Sequence, residues 1–297
     1  MSDLTITRPT LTPLPATAAT VFDKLGNSRT STGGVLPLDQ VKRVGPPEAC
    51  AERFKASPGF VRDFTALLAH LESAGCVDFR VRQAFRSNSE QKEVWDRYQR
   101  WRAAGCPKPG TKGFDGARMS TSAAAAPNRS FHGAGAAMDI GLSNLRFADG
   151  VAGDAALARF WDIAADHGFT PIISEPRMDR SEAWHFDHQG PLRAVRDLFY
   201  THRSESTAYA SAAGLAAEVG CILMGTHVGD AQPERTVQAR LLLHGVFVGE
   251  PDGKIGPKTR AGLAQFGIDA TSTKLSTAQI LAAMDAAGVG AEGLAAL

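Results

Sequence analysis

Several features that mark whole classes of protein are missing from this sequence. The formal net charge is only +1 over 297 residues, so no positive surplus marks a nucleic-acid partner, and we expect none. No apolar N-terminal run follows a basic segment, which predicts that the chain has no signal peptide. The apolar stretch 208–224 is rich in Ala and Gly and contains Glu218, which favours a packed helix over a membrane span. These absences predict a protein that is made in the cytoplasm and does not span a membrane.

Cysteine is also scarce and widely spaced. The four residues Cys50, Cys76, Cys106 and Cys221 form no Cys-x-x-Cys pair, which argues against a thiolate zinc site of the structural kind. They allow up to two disulfides, in three connectivities, and free thiols are the alternative.

The length and composition predict two domains after an arm. Thr, Pro, Ser and Gly dominate residues 1–45 without a sustained apolar period, so we expect a flexible N-terminal arm there. A catalytic domain is expected over 46–203 and a helical domain over 207–297, joined by a polar linker.

A strand with a polar position facing away from the core follows a Gly-rich stretch. From residue 137 to 142 apolar and small residues alternate, so that Asp139 faces away from the layer that contains Met138 and Ile140. His132 precedes this strand among glycines, where a loop can fold its side chain back towards Asp139.

The segment around His185 repeats this arrangement. Alternation places His185 and Asp187 on one face and Trp184 with Phe186 on the other, so that His185 can share a face with Asp139, while the role of Asp187 stays open. Two histidines, one carboxylate and a position open to water are what a catalytic zinc ion requires. Glu182 is then the candidate general base, although strict alternation would put it on the Trp184 side, so a bend in the chain is expected there.

The pattern Ser-x-His-x-x-Gly-x-Ala-x-Asp, followed by Glu-x-Trp-His, resembles the zinc D-Ala-D-Ala peptidases of the VanX and VanY type, relatives of which serve as bacteriophage endolysins. The resemblance covers roughly residues 45–200. It implies that His132, Asp139 and His185 bind Zn²⁺ and that Glu182 is the catalytic base. It also implies that Arg86, in the run Ala84-Phe85-Arg86-Ser87, steadies the substrate carbonyl and the tetrahedral intermediate.

Three further residues near these motifs are candidates for binding substrate: Ser130, Gln91 and Trp184. Ser130 can orient His132, bind substrate or satisfy a turn. The Gly-, Pro-, Ser- and Ala-rich segment 105–128 is either a lid or binding loop or a disordered segment.

The scaffold between the motifs is expected to be helices and strands with ordinary start and stop signals. A helix over 58–74 is predicted, capped by Ser57, followed by a strand that points Val77, Phe79, Val81 and Phe85 to one side. A second helix opens with the capping-box pattern of residues 87–90 and is expected to bury Val94, Trp95, Tyr98 and Trp101 in the core.

The C-terminal segment resembles the small three-helix peptidoglycan-binding domain. The resemblance rests on the runs 236–245, 252–259 and 263–266. The same residues independently predict an apolar helix, an Asp-Gly turn and a second helix that starts at Pro257. A last helix, capped by Ser276, is expected to follow.

Together these patterns predict an α+β protein, with a small antiparallel sheet and helices, plus the C-terminal all-α domain. The expected function is that of a monomeric, endolysin-like zinc peptidase that binds peptidoglycan and acts on the cell wall after release or delivery. Alternatives are a D-Ala-D-Ala dipeptidase or carboxypeptidase of wall remodelling or resistance, and a wall-binding protein without catalysis.

Overall fold

The computed structural model describes residues 56–106, 124–188, 190–202, 209–270 and 275–290. The expected N-terminal arm, most of the segment 105–128 and the linker near 203–207 lie outside these described residues.

The described chain is a mixture of helices and short antiparallel strands, which confirms the predicted α+β class. The strands are β1 (Cys76–Asp78), β2 (Val81–Gln83), β3 (Ala137–Ile140), β4 (Arg146–Phe147), β5 (Phe169–Pro171) and β6 (His185–His188). The helices are α1 (Pro58–Ser73), α2 (Asn88–Ala103), α3 (Gly153–Ala165), α4 (Leu192–His202), α5 (Tyr209–Leu223), α6 (Gln232–Leu243), α7 (Pro257–Ala264) and α8 (Thr277–Ala286).

The predicted caps are present at the first two helices. At α1 the Ser57 side chain accepts a hydrogen bond from the backbone N–H of Phe60, and Gly75 just beyond the helix has a φ of +77°. At α2 Ser87 and Glu90 form the reciprocal capping box. The second cap places Arg86 immediately before a rigid helix start.

A four-stranded sheet in the order β2-β3-β6-β5 carries the candidate site. Its pairs are antiparallel, and Asp139 stands opposite His185 while Met138 stands opposite Phe186. Because neighbouring residues on a strand face opposite ways, Met138 and Phe186 lie fully buried in the core below. Asp139 and His185 therefore share the other face.

The prediction of one strand with Val77 and Phe85 on the same inward side is wrong. The chain breaks into β1 and β2, which belong to different sheets, and β1 pairs with β4 across a register shift. This break changes which residues face inward, so Cys76 is buried while Val77 is 49% exposed.

The prediction that the aromatic residues of α2 belong to the core is also wrong. Trp95, Tyr98 and Trp101 are half-buried and contact one another along the helix, with ring centroids 5.7 and 5.9 Å apart. The buried side chain of this helix is that of Gln91. The helix is mostly polar and has no wide apolar face.

Two hydrophobic clusters form the interior. One joins α1 and α3 to the underside of the sheet, with Phe60, Phe160 and Phe186 at its centre. The other contains residues of α4 to α8 and also takes in Phe131 and Ala134 from the loop that carries His132. The C-terminal helices therefore share one core with the loop of the candidate site.

Among the described residues, no helix is long and apolar enough to cross a membrane. The predicted packed helix at 208–224 is α5, which buries Leu215, Ala216 and Val219. Cys76, Cys106 and Cys221 are free thiols, and Cys50 lies outside the described residues.

Candidate metal centre and active site

Three side chains converge on the open face of the sheet. Asp139 on β3 and His185 on β6 are direct cross-strand partners, and His132 reaches them from the loop before β3. One ligand atom from each residue lies within 4.8 Å of the other two. They form the one such group of His, Cys, Asp or Glu residues in the described part of the chain.

The hydrogen bonds of His132 indicate which ring nitrogen faces the site. Its Nδ1 lies 2.9 Å from the carbonyl oxygen of Ala84, which can only accept, so Nδ1 carries the proton. Its Nε2 lies 3.2 Å from Oδ1 of Asp139. In the neutral ring this Nε2 holds a lone pair directed into the site.

His185 is held in the same way but with its nitrogens exchanged. Its Nε2 lies 2.9 Å from Oδ1 of Asp187, and its Nδ1 lies 3.0 Å from Oδ1 of Asp139. A carboxylate on the far nitrogen of a histidine is the arrangement that orients metal ligands in proteins.

These contacts leave acceptor atoms facing one another. If His132 and His185 are neutral, two nitrogen lone pairs and Oδ1 of Asp139 point at a common centre, where only protons or a cation can relieve the repulsion. The donor set therefore fits a divalent ion of the zinc type, which favours imidazole and carboxylate ligands.

The electrostatics of the protein without metal agree with this reading. Burial would lower the pKa of His185, but the carboxylates of Asp187 and Asp139 raise it to about 10. Burial would raise the pKa of Asp139, but His132 and His185 hold it well below its usual range. The site therefore takes up positive charge readily, as protons or as a metal ion.

Arg86 lies next to the candidate metal ligands. Its Nη2 lies 3.6 Å from Oδ2 of Asp139, and its backbone N–H donates to the carbonyl oxygen of His132 at 3.3 Å. Gln91 and Gln83 hold the guanidinium by accepting hydrogen bonds of 3.0 and 2.9 Å from Nη1 and Nη2. The guanidinium is thus fixed next to the proposed ligands.

Glu182 lies in a turn directly before β6, where the sequence predicted a bend. Its φ is +66°, in the left-handed region that non-glycine residues seldom adopt. Its carbonyl oxygen accepts from the backbone N–H of His185 at 3.0 Å. This strained turn places Glu182 in backbone contact with His185, a candidate metal ligand.

Residues 53–191 match the family model VanY, described as D-alanyl-D-alanine carboxypeptidase. These residues form a VanY-family domain. The matched range contains both motifs and the whole four-stranded sheet. Searches of curated proteins and of solved structures found no significant match. The family supports a peptidase of the carboxypeptidase type, which agrees with the resemblance seen in the sequence.

The three predicted substrate residues occupy different places in the VanY domain. Gln91 is buried, and its Nε2 donates to the carbonyl oxygen of Ala125, so both ends of its amide group are used within the protein. Ser130 is also buried, and its backbone oxygen accepts in the turn that shapes the His132 loop. Trp184 is half-buried and pairs through its backbone oxygen with Ile140. Their roles in binding substrate stay predictions.

Sequence reasoning overlooked Gln83 and left Asp187 undecided. Gln83 stands opposite Asp139 in the sheet and binds the guanidinium of Arg86. Only the pairing register shows this, since a lone glutamine in a short strand has no distinctive pattern. Asp187 shares the predicted face of His185, and that alternation was the available signal for its contact.

Proposed function

We propose that this chain is a zinc-dependent peptidoglycan peptidase that hydrolyses an amide bond in the stem peptide or cross-link. The observation that carries the proposal is the meeting of His132, Asp139 and His185 within a VanY-family domain, with an acceptor on the far nitrogen of each histidine. When bound, zinc lowers the pKa of a water molecule to about 7 and polarises a carbonyl.

Two residues outside the proposed ligand set, Glu182 and Arg86, have the remaining catalytic roles. Glu182 takes the proton of the attacking water and passes it to the amine that leaves when the C–N bond breaks. Arg86 donates to the oxygen that becomes negative when water adds to the scissile carbonyl. Its fixed position beside Asp139 supports this role, because a donor already in place needs no reorganisation during the reaction.

The scissile bond is proposed to be the one before a D-Ala. The family description, D-alanyl-D-alanine carboxypeptidase, favours release of a terminal D-Ala. Opening of a cross-link at D-Ala and a cut after L-Ala are the other outcomes that an endolysin-like enzyme would give. A dipeptidase of wall remodelling or resistance would act instead on free D-Ala-D-Ala.

The test is mass spectrometry of the products from purified peptidoglycan and from free D-Ala-D-Ala, with chelated protein and a zinc add-back alongside. Zinc-dependent release of D-Ala or of opened cross-links from the polymer supports the proposal. Cleavage of the free dipeptide alone supports the dipeptidase. A protein that holds zinc, binds walls and releases no product would be a wall-binding protein, and activity that persists without metal would contradict the zinc mechanism.

We further propose that the C-terminal helices direct the enzyme to the wall, where it acts after release or delivery from the cell. The support is the sequence resemblance of 236–266 to peptidoglycan-binding domains, together with the helices α6, α7 and α8 at the expected places. Co-sedimentation of Glu182→Gln protein with insoluble peptidoglycan tests it, and protein that stays in the supernatant would contradict it.

A further inference from the structure

The loop that carries His132 is buried over its whole length. Residues 130–136 are all buried, and the turn is closed by hydrogen bonds from the N–H of Gly133 to the oxygen of Ser130 and from Ala136 to Phe131, at 2.9 and 2.8 Å. A metal ligand in such a loop has its position set by whatever packs behind the loop.

The structure behind the loop is α5, the first of the C-terminal helices. A Cβ placed on Gly220 of this helix would lie only 2.7 Å from the Cβ of Ala134. Cys221 continues the contact, since its Sγ lies 3.9 Å from the carbonyl oxygen of Ser130. Only a glycine at position 220 lets the helix approach the loop so closely.

The hydroxyl group of Thr226 extends the contact between α5 and this loop. Thr226 follows α5, and its Oγ1 lies 2.6 Å from the carbonyl oxygen of Gly133, the residue after His132. The same hydroxyl lies 3.2 Å from the carbonyl oxygen of Cys221, at the end of the helix. Thr226 is therefore in contact with both the metal loop, which is the loop 130–136 that carries His132, and the helix α5 behind it.

Thr226 is also connected to the other side of the site. Its carbonyl oxygen accepts a hydrogen bond from Nδ2 of Asn88, in the first turn of α2. Oδ1 of Asn88 in turn accepts from the backbone N–H of Asn128 at 2.7 Å. Since Arg86 lies two residues before Asn88, these bonds join the C-terminal region both to the loop that carries His132 and to the chain next to Arg86.

We propose that Thr226 is a positioning residue for the metal ligand His132, so that zinc affinity depends on a hydroxyl supplied by the C-terminal region. The proposal deepens the zinc site proposed above and rests on it. Thr226 acts through Gly133 and touches none of the proposed ligands. The C-terminal helices then serve as the back wall of the active site, in addition to any binding of the cell wall.

The test compares zinc dissociation constants, measured by competition with a chromophoric chelator, in the full chain and three variants. Thr226→Val removes the hydroxyl at nearly constant volume, and Thr226→Ser keeps it. Thr236→Val is the matched control, because Thr236 is likewise half-buried and its hydroxyl donates to the backbone oxygen of Gln232 at 2.9 Å. This hydrogen bond lies within α6 and does not involve the loop that carries His132.

We expect zinc to bind about 10-fold more weakly to Thr226→Val, a loss typical of changes to the groups that orient ligands. Thr226→Ser and Thr236→Val should bind zinc as the unchanged chain does, and circular dichroism should show all four proteins folded. Equal affinity in all four, or equal weakening in both valine variants, overturns the positioning role while leaving the zinc site intact. An unchanged chain that binds no zinc overturns the zinc site itself and the positioning role with it.

Discussion

Nε2 of His185 lies 2.9 Å from Oδ1 of Asp187, two residues further along the same strand. Side chains two apart on a strand share a face, so β6 presents both the proposed ligand and the acceptor that orients it. The carboxylate of Asp187 accepts, so it holds the proton of His185 on Nε2, and in the zinc site proposed above it would increase the basicity of Nδ1.

Replacing Asp187 should therefore weaken metal binding without removing a ligand. We expect Asp187→Ala to raise the zinc dissociation constant about 10- to 100-fold. Asp187→Asn should lose less, because its amide oxygen can still accept from Nε2. Competition with a chelator measures both, and Asp197→Asn, an exposed carboxylate on α4, is the control. Unchanged affinity in Asp187→Ala would show that the contact does not orient the ligand.

Removing the carboxylate of Glu182 should separate chemistry from metal binding. In Glu182→Gln we expect kcat to fall about 10²- to 10⁴-fold, the usual contribution of a general base. Zinc content, measured by plasma mass spectrometry, should stay near that of the unchanged protein, because Glu182 is not a proposed ligand. Loss of zinc together with activity would instead make Glu182 part of the metal site.

The left-handed backbone at Glu182 leads to a stability prediction. Its φ of +66° is strained for any residue with a Cβ and relaxed for glycine. Since Glu182→Ala and Glu182→Gly both lack the carboxylate, they differ only by one Cβ and by the backbone conformations that it disfavours. We expect the glycine variant to be more stable by about 1 kcal/mol in urea unfolding. An alanine variant of equal or greater stability would count against strain at this turn.

Stability in acid should depend on Asp63, which lies 2.8 Å from Nε2 of His188. Burial would raise the pKa of Asp63, but hydrogen bonds from His188 and Arg62 lower it to about 2. The unfolded value is about 4, so the contribution of the carboxylate is complete above about pH 4 and is lost as the pH falls through about 2.

The measurement is the difference in unfolding free energy between the unchanged protein and Asp63→Asn at several pH values. At pH 7 we expect a difference of about 1–2 kcal/mol, reduced from the full linkage value because Asp63 is partly exposed. The difference should shrink steadily below about pH 4. A difference that stays constant from pH 7 to pH 2.5 would rule out the ionised carboxylate of Asp63 as its source.

Two glycines of α5 provide a matched pair for the contact with the metal loop. A Cβ at Gly220 would meet Ala134 at 2.7 Å and Leu192 at 2.9 Å, whereas one at Gly214 would lie 3.5 Å from its nearest neighbour, Arg129. We expect Gly220→Ala to destabilise the protein by about 1–3 kcal/mol through overpacking. Gly214→Ala should stabilise it by about 0.5–1 kcal/mol, since alanine favours the helix. Thermal unfolding distinguishes the two, and equal effects would contradict the close approach.

Much of the local structure was predictable because it depends on neighbours in the chain. The caps at Ser57 and Ser87 follow from short-range hydrogen bonds, and both are present. Alternation correctly put Asp139 and His185 on one face of the sheet. The same reasoning failed at Val77, where a break between two sheets changed which residues face inward. It failed again at the aromatic residues of α2, because helical spacing does not reveal whether a partner covers that face.

The sequence by itself determined which residues are chemically able to form the site: two histidines, an aspartate, a glutamate and an arginine within motifs whose spacing matches one peptidase family. Tertiary structure alone decided what orients them. The contacts of Gln83 with Arg86 and of Thr226 with Gly133 join residues whose meeting depends on strand register and helix packing. Local periodicity carries no information about either, because both are set by which distant surfaces bury each other best.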